Sequence, residues 1–292
     1  MSFRSLVINN RCKLEYSLNY LVVNKGDETK RVLLDEVKMI IINSTQVSIT
    51  SALISECINK KIKILFGDVK HNLVGEITPY KNNYYANKKI KEQISFEEER
   101  KNLLWQQIVK MKIKGQADNL KIIGKSDVAD LLYSYSNEVE LGDVTNREGL
   151  AAKLYFRAAF GKDFYREDDS IEANTYLNYG YTIILSSFNR SIKALGYYTE
   201  LGIHHIGETN SFNFSCDLME PLRPLVDLII LREEINMENF KQEFINMLSK
   251  VVIFEECRTY LDNAIEEYVS NCVQYLKTGD ESKIQFIHYG LE

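Results

Sequence analysis

From Phe3 to Thr78 apolar residues either alternate with polar ones or gather in short β-branched runs, and the pattern predicts strands over 5–8, 20–23, 32–34, 37–42 and 62–66, with a Lys25-Gly26-Asp27 turn among them. Val37, Met39 and Ile41 are expected on one face of their strand, and Ile62, Ile64 and Phe66 on one face of theirs, so that a small sandwich buries both rows. One helix, over 48–59, interrupts the strands. Beyond Ser95 the period becomes helical. Ser95 with Glu98 reads as a capping box, followed by a Leu104, Ile108, Met111 stripe in which Trp105 belongs to the core. Further helices are expected over 127–137, from Thr145 with Leu150, Leu154 and Ala158 on one face, over 174–195 up to Gly196, and over 224–235, 237–250 and 255–277. Tyr176, Tyr179 and Tyr181 read as packing residues, and His288 as a surface residue of the tail. The expected class is α+β, a small N-terminal β-sandwich domain (1–79) followed through a linker (80–94) by a larger all-α C-terminal domain (95–292).

At 292 residues, 45% hydrophobic and 26% charged, the chain has the composition of a folded globular protein with room for two cores. The N-terminal ten residues lack the apolar centre of a signal peptide, and no run of about eighteen apolar residues is present. A cytoplasmic protein without a membrane span is therefore expected. Five cysteines without a Cys-x-x-Cys spacing point to buried thiols, not to a disulfide framework or a zinc knuckle. Charge is uneven: residues 60–125 carry 15 Lys and Arg against 7 Asp and Glu, in a chain of net −5. A basic middle between acidic ends suits either a phosphate-binding groove or a set of solvated helix faces. The lysines and tyrosines after Pro79 fit a nucleic-acid path or a plain linker equally well. No Gly-rich phosphate loop, Gly-x-Ser-x-Gly or His-Glu-x-x-His motif occurs, which removes the common nucleotide-binding and hydrolase classes.

Candidate chemistry concentrates in residues 199–227, which hold two of the four histidines and two of the three prolines. Asp217 and Glu220 stand three apart, so on a helix they share a face, and carboxylates with one imidazole suit Mg²⁺ or Mn²⁺ better than zinc. The same Asp-x-x-Glu is also a capping box. Glu148 carries the same ambiguity, since Thr145-x-x-Glu148 is a capping box of its own.

Three stretches carry a family resemblance: Asn146-Arg147-Glu148-Gly149-Leu150-Ala151-Ala152, Leu177-Asn178-Tyr179-Gly180-Tyr181, and Asp217-Leu218-Met219-Glu220-Pro221-Leu222-Arg223-Pro224-Leu225-Val226-Asp227. In this order, behind a β-rich start, they resemble the CRISPR-associated spacer-acquisition integrase, the metal-dependent nuclease subunit of the adaptation complex, and most of all its subtype II-A branch. The resemblance implies that Glu148, His205 and Glu220 are catalytic metal ligands for Mg²⁺ or Mn²⁺, with Asp217 nearby as a supporting or alternate ligand. His204 competes with His205, because Gly207 follows the pair; the twelve-residue separation from Asp217 favours His205. Lys88, Lys89, Lys91, Arg147 and Arg223 are candidate DNA contacts. The resemblance further implies a homodimer formed through the β domain, a small partner protein bridging two dimers, other subtype II-A adaptation proteins, and double-stranded DNA as both incoming fragment and repeat-containing target. Two rival readings are a catalytically silent DNA-binding scaffold and a general metal-dependent nuclease acting on branched DNA.

Overall fold

The computed structural model describes residues 4–68, 73–77, 86–168, 170–232 and 235–289. The chain divides into two compact units, residues 1–81 and 82–292.

The first unit begins with β1 (Arg4–Ile8), β2 (Cys12–Ser17), β3 (Tyr20–Lys25), β4 (Glu28–Leu33), β5 (Val37–Ile42) and β6 (Val47–Ile49), and continues with helix α1 (Ser51–Asn59), β7 (Lys63–Gly67) and β8 (Leu73–Glu76). One sheet has the order β1-β5-β7-β8, parallel except for its last pair; the other has the order β4-β3-β2-β6, antiparallel except for β2 with β6. Leu14 and Leu21 of the second sheet share one apolar core with Val37, Ile40, Ile42 and Ile64 of the first and with Leu53 and Cys57 of α1. Thr50 caps α1 by accepting from the Leu53 amide.

The row on β7 faces the core as expected, but the row on β5 does not. Opposite β1 the register passes from Val37 to Met39 and skips Lys38. This bulge reverses the alternation, so Val37, Ile40 and Ile42 enter the core, while Met39 and Ile41 are buried apart from it. A one-residue bulge leaves little mark in a strand whose residues other than Lys38 are all apolar.

The second unit opens with α2 (Ala86–Ile94), inside the stretch expected as a linker; the rest of that stretch, 80–85, lies outside the described residues. Helices α3 (Glu98–Ile122), α4 (Ser126–Asn137), α5 (Arg147–Phe160), α6 (Glu172–Ala194), α7 (Asn213–Met219), α8 (Arg223–Leu231) and α9 (Phe240–Met247) follow. Next come a hairpin of β9 (Val251–Phe254) and β10 (Cys257–Tyr260), and α10 (Leu261–Thr278). Helix α3 is the axis of this unit. It packs against α4, α5, α8 and the short 3₁₀ turn Glu220–Leu222. Gly115 lets α8 approach, since a Cβ there would stand 3.1 Å from the Pro224 ring and 2.8 Å from the Tyr289 hydroxyl. Pro221 and Pro224 occupy first-turn positions, where a missing N–H breaks no intrahelical bond.

Three expectations change here. The hairpin replaces the predicted start of a helix at 255, so the unit is not all-α. Its turn residues Glu255 and Glu256 both adopt positive φ (48° and 62°), the conformation of a tight hairpin turn without the glycine or asparagine that usually announces one. Helix α3 starts on Glu97 as N-cap without a side-chain cap bond, so the Ser95–Glu98 capping box is not formed. On α5 the buried positions are Ala151 and Tyr155, whereas Leu150 is 46% exposed.

Candidate active site

Glu148 lies in the first turn of α5 and is released from capping duty by two other side chains. Asn146, in the left-handed region at φ 52°, accepts from the Gly149 amide, while the Asp143 carboxylate accepts from the amides of Arg147 (2.8 Å) and Glu148 (3.1 Å). The Thr145–Glu148 capping box is thus absent, and the Glu148 carboxylate turns to Lys112 of α3, whose Nζ donates to its Oε1 at 2.5 Å.

The same ammonium stands 2.5 Å from Glu220 Oε2, a buried oxygen that receives no directed hydrogen bond, and Arg223 Nε donates to Glu220 Oε1 at 2.8 Å. Arg223 also lies over the Tyr181 ring, 4.7 Å from its centroid, and the Tyr181 hydroxyl donates to Asp227. Burial opposes charge on Glu220, but Arg223 and Lys112 outweigh it and hold the carboxyl down at about 2. Burial likewise opposes charge on Lys112, and there Glu220 and Glu148 prevail and raise its pKa.

Asp217, fully buried on α7, works differently. Its two oxygens accept from the backbone amides of Ile203 (2.6 Å), His204 (3.1 Å) and His205 (3.0 Å) and meet His205 Nδ1 at 2.6 Å. With every bonding direction of the carboxylate engaged, Asp217 is an anchor for the histidine loop and not a free ligand beside Glu220. Holding Nδ1–H on Asp217 leaves Nε2 as the basic nitrogen of the neutral ring, the arrangement by which a carboxylate orients a metal-binding or proton-accepting histidine. The hydrogen bond to Asp217 raises the His205 pKa above the ordinary value against the effect of burial, and the charges of Glu220 and Glu148 add to the rise. His204 instead stacks on Trp105 at 4.1 Å and 8°, and Trp105 meets the His205 ring edge-on at 5.6 Å. We therefore expect His205→Ala to reduce activity by at least about a hundredfold, as for loss of a general acid–base group, and His204→Ala by much less. Equal mild losses in an activity assay would remove both histidines from the chemistry.

Several of these parts were passed over in the sequence. Gly202, three residues before His205, is required by the loop: a Cβ there would collide with the His205 carbonyl and stand 2.7 Å from Asp217 Oδ2. Gln93 of α2 donates to the carbonyls of Tyr198 and Leu201 and accepts from the Tyr198 amide, each at 2.9 Å, so a helix expected as linker clamps the approach to His205. Lys112 had a visible signal, since it falls four residues after Ile108 on the apolar stripe of α3, where a charge demands a partner.

The DNA-contact candidates separate. Lys88 and Lys91 are exposed on α2, but Lys89 is half-buried, donating to the Tyr197 hydroxyl at 2.9 Å and pairing with Glu92 at 3.2 Å. Arg147 pairs with Glu138 at 2.7 Å, and Arg223 holds Glu220. Among the described residues, no three His, Cys, Asp or Glu side chains are gathered closely enough to hold a metal as they stand, and Lys112 Nζ lies 2.5 Å from both glutamates. The donors themselves, two carboxylates and one oriented imidazole, have the chemistry of a Mg²⁺ or Mn²⁺ site.

The family model of the CRISPR associated protein Cas1 matches residues 6–267. The chain belongs to the Cas1 family. A curated Cas1 relative from Neisseria meningitidis serogroup C, a CRISPR-associated endonuclease, is 36% identical over 231 residues, 79% of this chain and 76% of its own. Among solved structures, a casposase bound to integration product superposes with a TM-score of 0.76 at 18% identity, covering 96% of this chain and 92% of the casposase. A Cas6-RT-Cas1–Cas2 complex gives a TM-score of 0.74 at 18% identity over 97% of this chain and 36% of the longer one. Membership places this chain among the CRISPR-associated Cas1 endonucleases. Among the described residues, no helix of this Cas1 chain is long and apolar enough to cross a membrane.

Proposed function

We propose that this Cas1 family chain inserts short double-stranded DNA fragments into a repeat-containing target, with Glu148, His205 and Glu220 holding Mg²⁺ or Mn²⁺. The observation that carries this reading is the convergence of Glu148 and Glu220 on one buried ammonium, beside a histidine whose Nδ1 is fixed by Asp217. The reaction is an in-line transesterification. The fragment's 3′-hydroxyl oxygen attacks phosphorus, the target's P–O3′ bond breaks, one proton leaves the attacking hydroxyl and one reaches the departing oxygen. When bound, the divalent ion supplies charge neutralisation at the phosphate and acidifies the attacking hydroxyl. His205 Nε2 accepts a proton or ligates the ion, Asp217 keeps the ring in the required tautomer, and Arg223 keeps Glu220 ionised and in place.

The β unit, 1–81, serves homodimer formation, and the helical unit, 82–292, which takes in α2 from the expected linker, is catalytic. A small adaptation protein bridges two dimers in the cytoplasm alongside other subtype II-A adaptation proteins, the subtype that the three motifs together resemble most. Divalent-ion-dependent joining of a labelled fragment to a repeat-containing duplex, with the small partner present, tests the reading. A silent scaffold binds both DNAs without joining them. A general nuclease instead cuts branched DNA without regard to the repeat.

DNA grip follows from the exposed lysines of α2. Each phosphate they contact contributes a salt slope of about −0.9 on duplex DNA, so Lys88→Ala with Lys91→Ala flattens the slope of log affinity against log salt. Lys89→Ala is expected to lower stability and to leave the slope unchanged. An unchanged slope in the Lys88/Lys91 variant moves the DNA path off this helix.

A further inference from the structure

Four charged side chains meet where α3, α5 and the 3₁₀ turn converge: Glu148, Glu220, Lys112 and Arg223, with Lys112 Nζ 2.5 Å from an oxygen of each glutamate and Arg223 on the other oxygen of Glu220. Their formal charges sum to zero. Ile108, Val109 and Ile113 around Lys112 on α3 are fully buried, and Lys112 itself is only 7% exposed. An ammonium in such surroundings is retained only by its anionic partners, and two carboxylates drawn to one cation repel each other once it is gone.

We propose that Lys112 is an exchangeable internal cation, holding Glu148 and Glu220 together while no metal is bound and competing with the divalent ion for them. The inference rests on the reading that these two carboxylates bind the metal. A divalent ion added beside Lys112 brings the group to a formal +2 in a buried site, so the ammonium is displaced from the carboxylates and becomes available to an incoming phosphate. Lys112 is a positioning residue in the metal-free protein, and metal loading is thereby tied to the arrival of negatively charged DNA.

The test uses the full chain without DNA, with Mn²⁺ as the probe. Lys112→Met is expected to lower the metal-free melting temperature by roughly 5–10 °C. Mn²⁺ then raises the melting temperature of the variant more than that of wild type, and calorimetric titration gives a tighter Kd, on the order of tenfold, because one repelling charge is gone. Adding Glu148→Gln to Lys112→Met restores neutrality and recovers most of the metal-free melting temperature, which a packing role for the lysine stem would not allow. A Lys112→Met chain that folds only with Mn²⁺ supports the proposal; one that stays unfolded with Mn²⁺ and also as the double variant overturns it. Mn²⁺ binding equal in wild type and Lys112→Met, yet lost in Glu148→Gln and Glu220→Gln, overturns the proposal and leaves the metal site standing. Absence of Mn²⁺ binding to wild type overturns both.

Discussion

Glu220→Ala is expected to abolish strand joining and also to destabilise the metal-free protein by about 3–5 kcal/mol, because it leaves Lys112 and Arg223 facing each other in a buried site without an anion between them. Glu148→Ala is expected to abolish joining with a smaller loss of stability. Its carboxylate is partly exposed, and Lys112 keeps Glu220 when Glu148 is gone. Paired denaturant titrations and joining assays measure both effects. The pH dependence adds an independent check. Glu220 is held down at about 2, so the stability it contributes is complete above the unfolded glutamate value of about 4.5 and is lost as the pH falls toward 2. A Glu220→Gln protein lacks that acid-sensitive part, and its stability changes less over the same range. Equal stability of Glu220→Ala and wild type at pH 7 would contradict the buried ion cluster; undiminished joining would remove Glu220 from the site.

Asp217→Asn is expected to reduce joining by about 10–100-fold although the residue is assigned no metal contact. The carboxylate accepts three backbone N–H bonds and the His205 ring N–H; an amide presents its own N–H₂ to donors and leaves part of that set unpaired. In the metal-free protein the His205 pKa, read by NMR, lies above its ordinary value in wild type and falls in the variant. The sign follows from the raised value: the stability from the His205–Asp217 pair is fully present below about pH 6.5 and is lost as the pH rises through the folded pKa. The stability gap between wild type and Asp217→Asn is therefore wider at acidic than at basic pH. A His205 pKa unaffected by Asp217→Asn would refute the anchoring role.

Much of the fold was legible because periodicity reports burial. The strand over 37–42 and the long helices α3 and α6 follow from apolar spacing, and the class of an N-terminal β region before a helical region follows from the change of period at about Ser95. What failed were features that periodicity does not encode. The bulge at Lys38 changes which residues of β5 face the core without changing any residue type. The Glu255-Glu256 turn uses positive φ at residues that read as a helix start. Helix α2 is polar along most of its length, and only the Gln93 clamp shows what it holds.

The candidate site divides in the same way. Spacing alone left each of the acids open to a capping role, and the family resemblance of the three motifs named Glu148, His205, Asp217 and Glu220. It did not determine which carboxylate does what. That depended on partners far along the chain: Lys112, 36 residues before Glu148, takes both glutamates, and Asp217 turns back on the amides of 203–205. Local sequence sets which groups are present and on which turn they sit. Tertiary packing decides which of them are desolvated together, and in a buried site the nearest opposite charge fixes the role of each group.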